Sequence, residues 1–380
     1  MMISFSSYIK RINESDDGKV KHIEHVDDLH INEPSGFHKA VEVLKKAKEH
    51  SEGRLSGHQL TIKLDGSPST VWGHHPETGK FFVGSKSVFN KEPKINYTEA
   101  DIERNHGHAP GLVDALKHAL KHLPKITPKK GVFQGDMMHK GGSSEFTPNT
   151  ITYRSKGADA VKAKLSKFGI APHTEYKGDT IESMKSQPIG DHSVFKKHED
   201  VHIVSPEYHG SDTGWPVAHE KKFNDELYKA HKAAAKIDHE VLTPHREHLK
   251  TYINQTVRTG ETPSHEGYIQ HLQNKQDKAV ASVKTDKAKQ SKIDHFQNLI
   301  NPEKANHTRI SISSALTAAH HISRAKDLVL HHLEKSNTGL EARLGGKKSQ
   351  HEGYVSTHTG SPVKLVDRHT FSVANFGNKG

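Results

Sequence analysis

The spacing of apolar positions changes several times along this chain, and each change predicts a different kind of element. Phe5, Tyr8, Ile9 and Ile12 recur at helical spacing with Lys10 and Arg11 on the other side. They predict a short amphipathic helix over residues 1–14, which the polar run Ser15 to Gly18 separates from the rest of the chain. Phe37, Val41, Leu44 and Ala47 predict a second helix over 36–50. From His58 the pattern turns to that of strands: QLTIKLDGSPSTVWG, a Gly, Pro and His turn, then KFFVGSKSVF, rich in β-branched and aromatic residues and bounded by turn formers. These predict paired antiparallel strands. Leu112, Leu116, Ala119, Leu120 and Leu123 return to one helical face over 111–123, and strands are expected again at 131–138, 149–153 and 170–176.

From about Trp215 to Lys335 the text is different. Lys, His, Ala, Gln and Asp dominate, with sparse apolar positions such as Phe223, Leu227, Ile237, Leu242, Leu316 and Ile322, which predicts several amphipathic helices. After Gly345 and Gly346 the strand-like text HEGYVSTHTGSPVKLVD resumes. The expected organisation is an α+β, antiparallel-sheet core made of residues 15–214 and 346–380, interrupted by a helical insertion over 215–345.

Composition sharpens this picture. Only 32% of the 380 residues are hydrophobic and 6% aromatic, so the core is lean. The formal charge of +10 admits nucleic acid, nucleotide phosphates or acidic surfaces as partners. Residues 216–335 carry 19 basic against 14 acidic side chains, half of the net charge on about a third of the length. The sharpest basic segment, Lys275 to Lys292, has six lysines against two aspartates but no interleaved aromatics, and reads as a solvated helix face. The 34 histidines are scattered, 13 of them in the insertion. Adjacent pairs such as His74-His75, His320-His321 and His331-His332 diverge by about 100° on a helix and do not chelate, and no HExxH pattern occurs. They are expected at the surface in place of lysine or glutamine. With no cysteine, disulfides, thiol nucleophiles and cysteine-ligated zinc are excluded. No run approaches the roughly 18 apolar residues of a membrane span, and the N-terminus has no signal-peptide apolar block, so no membrane partner is expected.

Lys63-Leu64-Asp65-Gly66 ends a predicted strand and is followed by Ser67-Pro68. By itself the tetrapeptide reads as a turn; what raises it is its company. Gly84-Ser85-Lys86-Ser87 puts a second cation after a strand. Val132-Phe133-Gln134-Gly135-Asp136 puts a carboxylate after a glycine at another strand. Glu352-Gly353-Tyr354-Val355 supplies a further acid, and Val363-Lys364-Leu365-Val366-Asp367-Arg368 a further lysine. This ordered set resembles the covalent nucleotidyltransferase superfamily of ATP-dependent DNA ligases, RNA ligases and mRNA capping enzymes. Lys63 to Gly66 looks like motif I, Lys86 falls at motif Ia, Phe133 to Asp136 resembles motif III, Glu352 to Val355 resembles motif IV, and Lys364 falls on motif V. His265-Glu266-Gly267-Tyr268-Ile269 repeats the motif IV text, but Glu352 is preferred because a lysine-bearing strand comes closely after it.

The resemblance covers roughly residues 55–180 and 345–370, and implies a ligase-like domain in which Lys63 attacks the α-phosphate of ATP to form a lysyl phosphoramidate. It implies that Lys86 and Lys364 neutralise phosphate charge, that Asp136 and Glu352 position magnesium or the ribose, and that Phe146 or Tyr153 stacks on the base. Asp65 and Gly66 complete the nucleotide site. RNA or DNA ends are the implied partners, and the EGYV form is typical of RNA ligases. About twelve residues lie beyond Arg368, so no C-terminal oligonucleotide-binding (OB) domain is expected. Three positions depart from the pattern: Asp136 stands where Glu is usual, Lys86 where Arg is commoner, and Val366 replaces a second motif V lysine. The wider text also resembles uncharacterised ligase-like proteins of tailed phages, which implies the host cytoplasm. Ile12-Asn13-Glu14 resembles the cleavage site of prohead proteases, and residues 1–14 a capsid-targeting helix, which implies capsid association and the virion interior. These departures also support a second reading: a non-enzymatic internal head protein that uses a degenerate nucleotidyltransferase scaffold to bind nucleic acid.

Overall fold

The computed structural model describes residues 23–368 other than 56–58, 190, 212–213, 303–304 and 338, so the predicted helix over 1–14 lies outside the described residues. Strands β1 (Glu24–His25) and β2 (Leu60–Ile62) precede a strand-rich stretch. It contains β3 (Ser69–His74), β4 (Phe81–Gly84), β5 (Val132–His139), β6 (Glu145–Phe146), β7 (Thr152–Arg154), β8 (Phe168–Lys177), β9 (Lys185–Pro188) and β10 (Val201–Ile203). After a run of helices come β11 (Glu341–Leu344), β12 (Lys347–Lys348), β13 (Gly353–Ser356) and β14 (Val363–Val366). The fold is mixed α+β with several sheets, and the chain clusters into two compact units.

The first unit, 64–206 with 343–346, is built on a sheet of order β10-β8-β5-β3-β4, with β9 also pairing with β8. Its pairings are antiparallel except β10 with β8. Successive side chains alternate faces. Trp72, Phe133, Phe168 and Ile170 therefore pack together with Leu116 and Ala119 of the helix Pro110–His122, while Val71, Phe82, Val132 and Tyr176 form the cluster on the other face. Each large side chain so buried contributes about 1.5–3 kcal/mol. The helix Glu99–His106 is started by Thr98, whose hydroxyl accepts from the Asp101 N–H while the Asp101 carboxylate accepts from the Thr98 N–H.

The second unit, 24–63, 207–342 and the chain from 347, holds a four-stranded sheet of order β1-β14-β13-β2. Its axis is the helix Ala305–Ser336, which buries Ile312, Ala315, Leu316, Ala319, Ile322, Val329 and Leu333 at helical spacing. Gly36–Ser51 and Val217–Ala234 pack on it, and Arg246–Thr259, His265–Ala281 and Asp286–Ile300 complete the helical layer. Among the described residues no helix is long and apolar enough to cross a membrane.

These units are not divided as composition suggested. Residues 24–63 and the C-terminal strands group with the helices of 207–342 instead of with the first sheet. The cause is strand pairing: β2 does not pair with β3, its neighbour in sequence, but with β13, and β1 pairs with β14. The helical segment is thus the body of a unit whose sheet comes from both ends of the chain.

The surface role expected of the histidines also fails at several positions. In the first unit His139 and His202 are buried and joined by a hydrogen bond of 3.0 Å; in the second, His50 with His358 and His219 with His332 are joined in the same way at 3.0 Å. Burial lowers His139, His202, His50 and His332 to about 4.

Candidate active site

Alternation along β2 decides where Lys63 goes. Leu60, Ile62, Tyr354, Ser356, Val363 and Leu365 lie on one face of the second unit's sheet, and all are buried. The other face carries the partly exposed Thr61, Val355 and Lys364 in one register row, with His25 of β1 beside Lys364. Lys63 continues β2 by donating its backbone N–H to the Gly353 carbonyl at 2.8 Å, which puts it two residues past Thr61, on the same face as Lys364. Its row also contains Val366, the position where the resemblance calls for a second lysine. The strands that lead to Lys63, follow Glu352 and carry Lys364 are therefore adjacent, and their polar positions share a face.

The Lys63 ammonium is ion-paired with the Glu352 carboxylate, 289 positions away, and both side chains are partly exposed. Glu352 precedes β13, and the residues around it are clamped by a partly buried acid that the sequence motifs do not include. Glu334, near the end of the long helix, accepts from the His351 N–H at 3.0 Å, from His351 Nδ1 at 3.0 Å and from the Tyr354 hydroxyl at 2.7 Å. Burial pushes the Glu334 carboxyl up, but the hydrogen bonds from His351 and Tyr354 outweigh it and hold it below the usual glutamate value. Burial raises the Tyr354 phenol well above its ordinary value, so it stays a donor. The sequence signal for this clamp is the flanking of Glu352 by His351 and Tyr354; the partner on another element is not readable from it. Gly353 is required by packing, because a Cβ there would lie 2.3 Å from the Leu365 carbonyl oxygen. The repeated text at Glu266 has a different fate: it sits in the first turn of the helix His265–Ala281, exposed, and pairs with Arg309 at 3.1 Å.

The chain enters the first unit at Leu64, and Asp65-Gly66 meets the strand that carries Asp136 there. A Cβ on Gly66 would lie 2.4 Å from Cβ of Asp136, so only glycine lets this backbone lie against β5. The Asp65 N–H donates to the Tyr153 hydroxyl at 2.6 Å, and its carboxylate accepts from Asn149 Nδ2 at 2.9 Å and the Thr150 N–H at 3.0 Å. Asp65 therefore anchors the loop before β7. Tyr153 is fully buried and Phe146, 7% exposed, packs against His139 and Tyr153. Both are packing residues, which corrects the expectation that either offers an open stacking face. Asp136 is partly exposed, with His173 Nε2 at 3.6 Å, and Lys86 is exposed on the short turn after β4.

The candidate residues thus fall into two sets. Lys63, Glu352 and Lys364 belong to the second unit's sheet, whereas Asp65, Gly66, Lys86, Asp136, Phe146 and Tyr153 belong to the first unit. Among the described residues no group of three or more acidic or histidine side chains is arranged to hold a metal ion. Asp136 and Glu352 do not amount to a protein cage for magnesium.

No curated protein and no solved structure matches the chain. The sequence model of a family of unknown function, DUF6267, matches residues 17–379, nearly the whole length, and the chain belongs to that family.

Proposed function

We propose that the chain is a ligase-like nucleotidyltransferase that takes a nucleoside monophosphate from ATP onto Lys63 and passes it to an RNA or DNA end. The observation that carries this reading is the Lys63–Glu352 ion pair: the motif I lysine and the motif IV acid, 289 positions apart, meet on adjacent strands. Lys364 on the same sheet face supports it.

The chemistry asks four things of these residues. The Lys63 ammonium must shed a proton before its lone pair can attack, and Glu352 is at hand to take it. The amine nitrogen then forms a bond to the α-phosphorus while the bond to the bridging oxygen breaks, and pyrophosphate leaves with that electron pair. Lys364 compensates charge as it moves onto the leaving oxygens. The phosphoramidate in turn yields its nucleotide to a terminal phosphate.

Incubation with α-labelled ATP and magnesium tests it. The expected result is label that survives a denaturing gel, is absent in Lys63→Ala, and falls by about a hundredfold or more in rate in Glu352→Gln. Absence of transfer from every labelled nucleoside triphosphate overturns the reading, as does equal labelling of Lys63→Ala.

A further inference from the structure

The helices Val217–Ala234 and Ala305–Ser336, both within the second unit, enclose a groove of about 330 Å³ remote in sequence from Lys63 and Glu352. One wall carries Lys229, Lys232 and Lys236; the other carries Ser313, Ser314 and Thr317. Lys229 and Lys232 lie about one turn apart on the helix Val217–Ala234, and Lys236 stands in the turn just past its end, so the three line the same groove.

The charges in and around the groove are one-sided. Its lining contains no carboxylate, and among the described residues none of the three lysines forms an ion pair with one. Glu226, one turn earlier on the lysine helix, is buried and already held by His321 Nδ1 at 2.6 Å and Arg324 Nε at 3.0 Å. Three lysines, of which Lys229 also feels the Glu226 charge, beside serine hydroxyls suit a chain of phosphates. The ammonium groups supply charge and Ser313 and Ser314 supply neutral hydrogen bonds, while Thr317 donates its hydroxyl to the Ser313 carbonyl at 2.8 Å.

A second feature selects the kind of polyanion. Tyr228 is 59% exposed, and it is the only aromatic among the large exposed apolar side chains of the described residues. Lys232 Nζ lies over its ring at 4.9 Å from the centroid, so the ring adjoins the groove through a lysine that lines it. An open aromatic face beside a cationic track is the combination that binds single-stranded nucleic acid, with backbone in the track and a base on the ring. A groove with donors on both walls also encloses one strand more readily than a duplex.

We propose that the groove between these two helices, with Tyr228 at its side, binds single-stranded nucleic acid. The binding is independent of nucleotide transfer to Lys63. The lysines stand on and just after a helix of undistinguished sequence, whereas Lys275 to Lys292, the densest basic run, has no part in the groove.

The test is fluorescence anisotropy of a labelled single-stranded oligonucleotide on the full chain across a salt series. In the triple variant Lys229→Ala, Lys232→Ala, Lys236→Ala, affinity falls by at least about tenfold and the slope of log K against log salt becomes shallower by about two. Tyr228→Ala weakens binding about tenfold at unchanged slope. A control variant removes equal charge elsewhere: Lys284→Ala, Lys287→Ala, Lys292→Ala. If it loses as much affinity as the groove variant, binding is a diffuse field effect and the proposal fails. It also fails if the groove variant binds like the parent chain. All these substitutions are at exposed positions, and circular dichroism verifies that each variant is folded. Self-labelling with α-labelled ATP, measured on the same variants, stays at the parent level, so failure of the groove and failure of the Lys63 chemistry are read separately.

Discussion

The two units fill their interiors differently. The first closes apolar clusters over both faces of a sheet, with Trp72 and Phe133 on one side and Val71 and Phe82 on the other. The second has an apolar helical core as well, but it also buries ions. Asp27, Asp28, Lys326 and Arg368 are each less than 8% exposed. Arg368 donates to Asp27 at 3.1 Å, to Asp28 at 2.7 Å and to Asn254 at 2.8 Å, while Lys326 donates to Asp27 at 3.2 Å. Burial pushes the Asp27 carboxyl up, but Arg368 and Lys326 outweigh it and keep it ionised. This network joins the residues after β1, the long helix and the end of β14, so the sheet that carries Lys63 is tied to the helices by charge. Apolar burial tolerates a change of pH or of a single partner; buried charge does not, because a remaining ion has no water to replace what was lost.

Acidification gives the largest expected contrast. Burial lowers His30, His50, His245, His248 and His332 in the second unit, and His139 and His202 in the first, to about 4, with His25 of the second unit lower still. Their folded values lie below the unfolded value of about 6.5, so the unfolded chain binds protons first as pH falls. The stabilisation is present above about 6.5 and is lost between about 6.5 and 4, at about 1.4 kcal/mol per pH unit for each group. Six such groups against two, offset in part by Asp28 and Asp327 of the second unit, which burial raises to about 6 so that the folded chain takes up their protons first, predict that the second unit loosens first. Each unit has one of the chain's two tryptophans, Trp72 and Trp215, so Trp215→Phe and Trp72→Phe make single reporters. His332 stacks on Trp215 at 4.2 Å between centroids, which makes that reporter sensitive. Coincident fluorescence transitions between pH 7 and 5 would break the comparison.

Next comes the network itself. Arg368→Ala leaves two buried carboxylates without their guanidinium and is expected to cost about 3–5 kcal/mol in urea unfolding. Lys140→Ala, which removes a half-exposed ion pair with Asp114 in the first unit, is expected to cost less than about 1 kcal/mol. Equal losses would show that burial does not separate the two kinds of pair.

Smaller effects sharpen how far charge held inside the second unit's helix–sheet contact reaches the chemistry. Glu334→Gln keeps the shape of the clamp on His351 and Tyr354 but removes its charge, and is expected to slow Lys63 labelling about ten- to a hundredfold by letting Glu352 drift. Unchanged labelling with an unchanged unfolding midpoint would remove Glu334 from any positioning role. Thr98→Ala, at the cap of Glu99–His106 in the first unit, is expected to cost about 1 kcal/mol and leave labelling unaltered. Its readout is the urea midpoint reported by Trp72.

What the sequence determined by itself is the local part. Helical spacing marked Gly36–Ser51 and Pro110–His122 to within a residue or two, and alternation marked β3, β5 and β8, because both patterns repeat over distances of a few residues. Of the residues singled out by their order along the chain, Lys63, Glu352 and Lys364 lie on or beside one sheet, whereas Asp65, Lys86 and Asp136 belong to the other unit. Only the tertiary structure decided the rest. It paired β2 with β13 across almost the whole chain, put Tyr153 under Asp65 instead of in the open, and brought Glu334 to the residues flanking Glu352. It also sorted the histidines of the described residues into surface and buried ones, and set three ordinary lysines opposite a row of hydroxyls. Burial and pairing between distant segments depend on which faces meet, and no window of neighbouring residues contains that information.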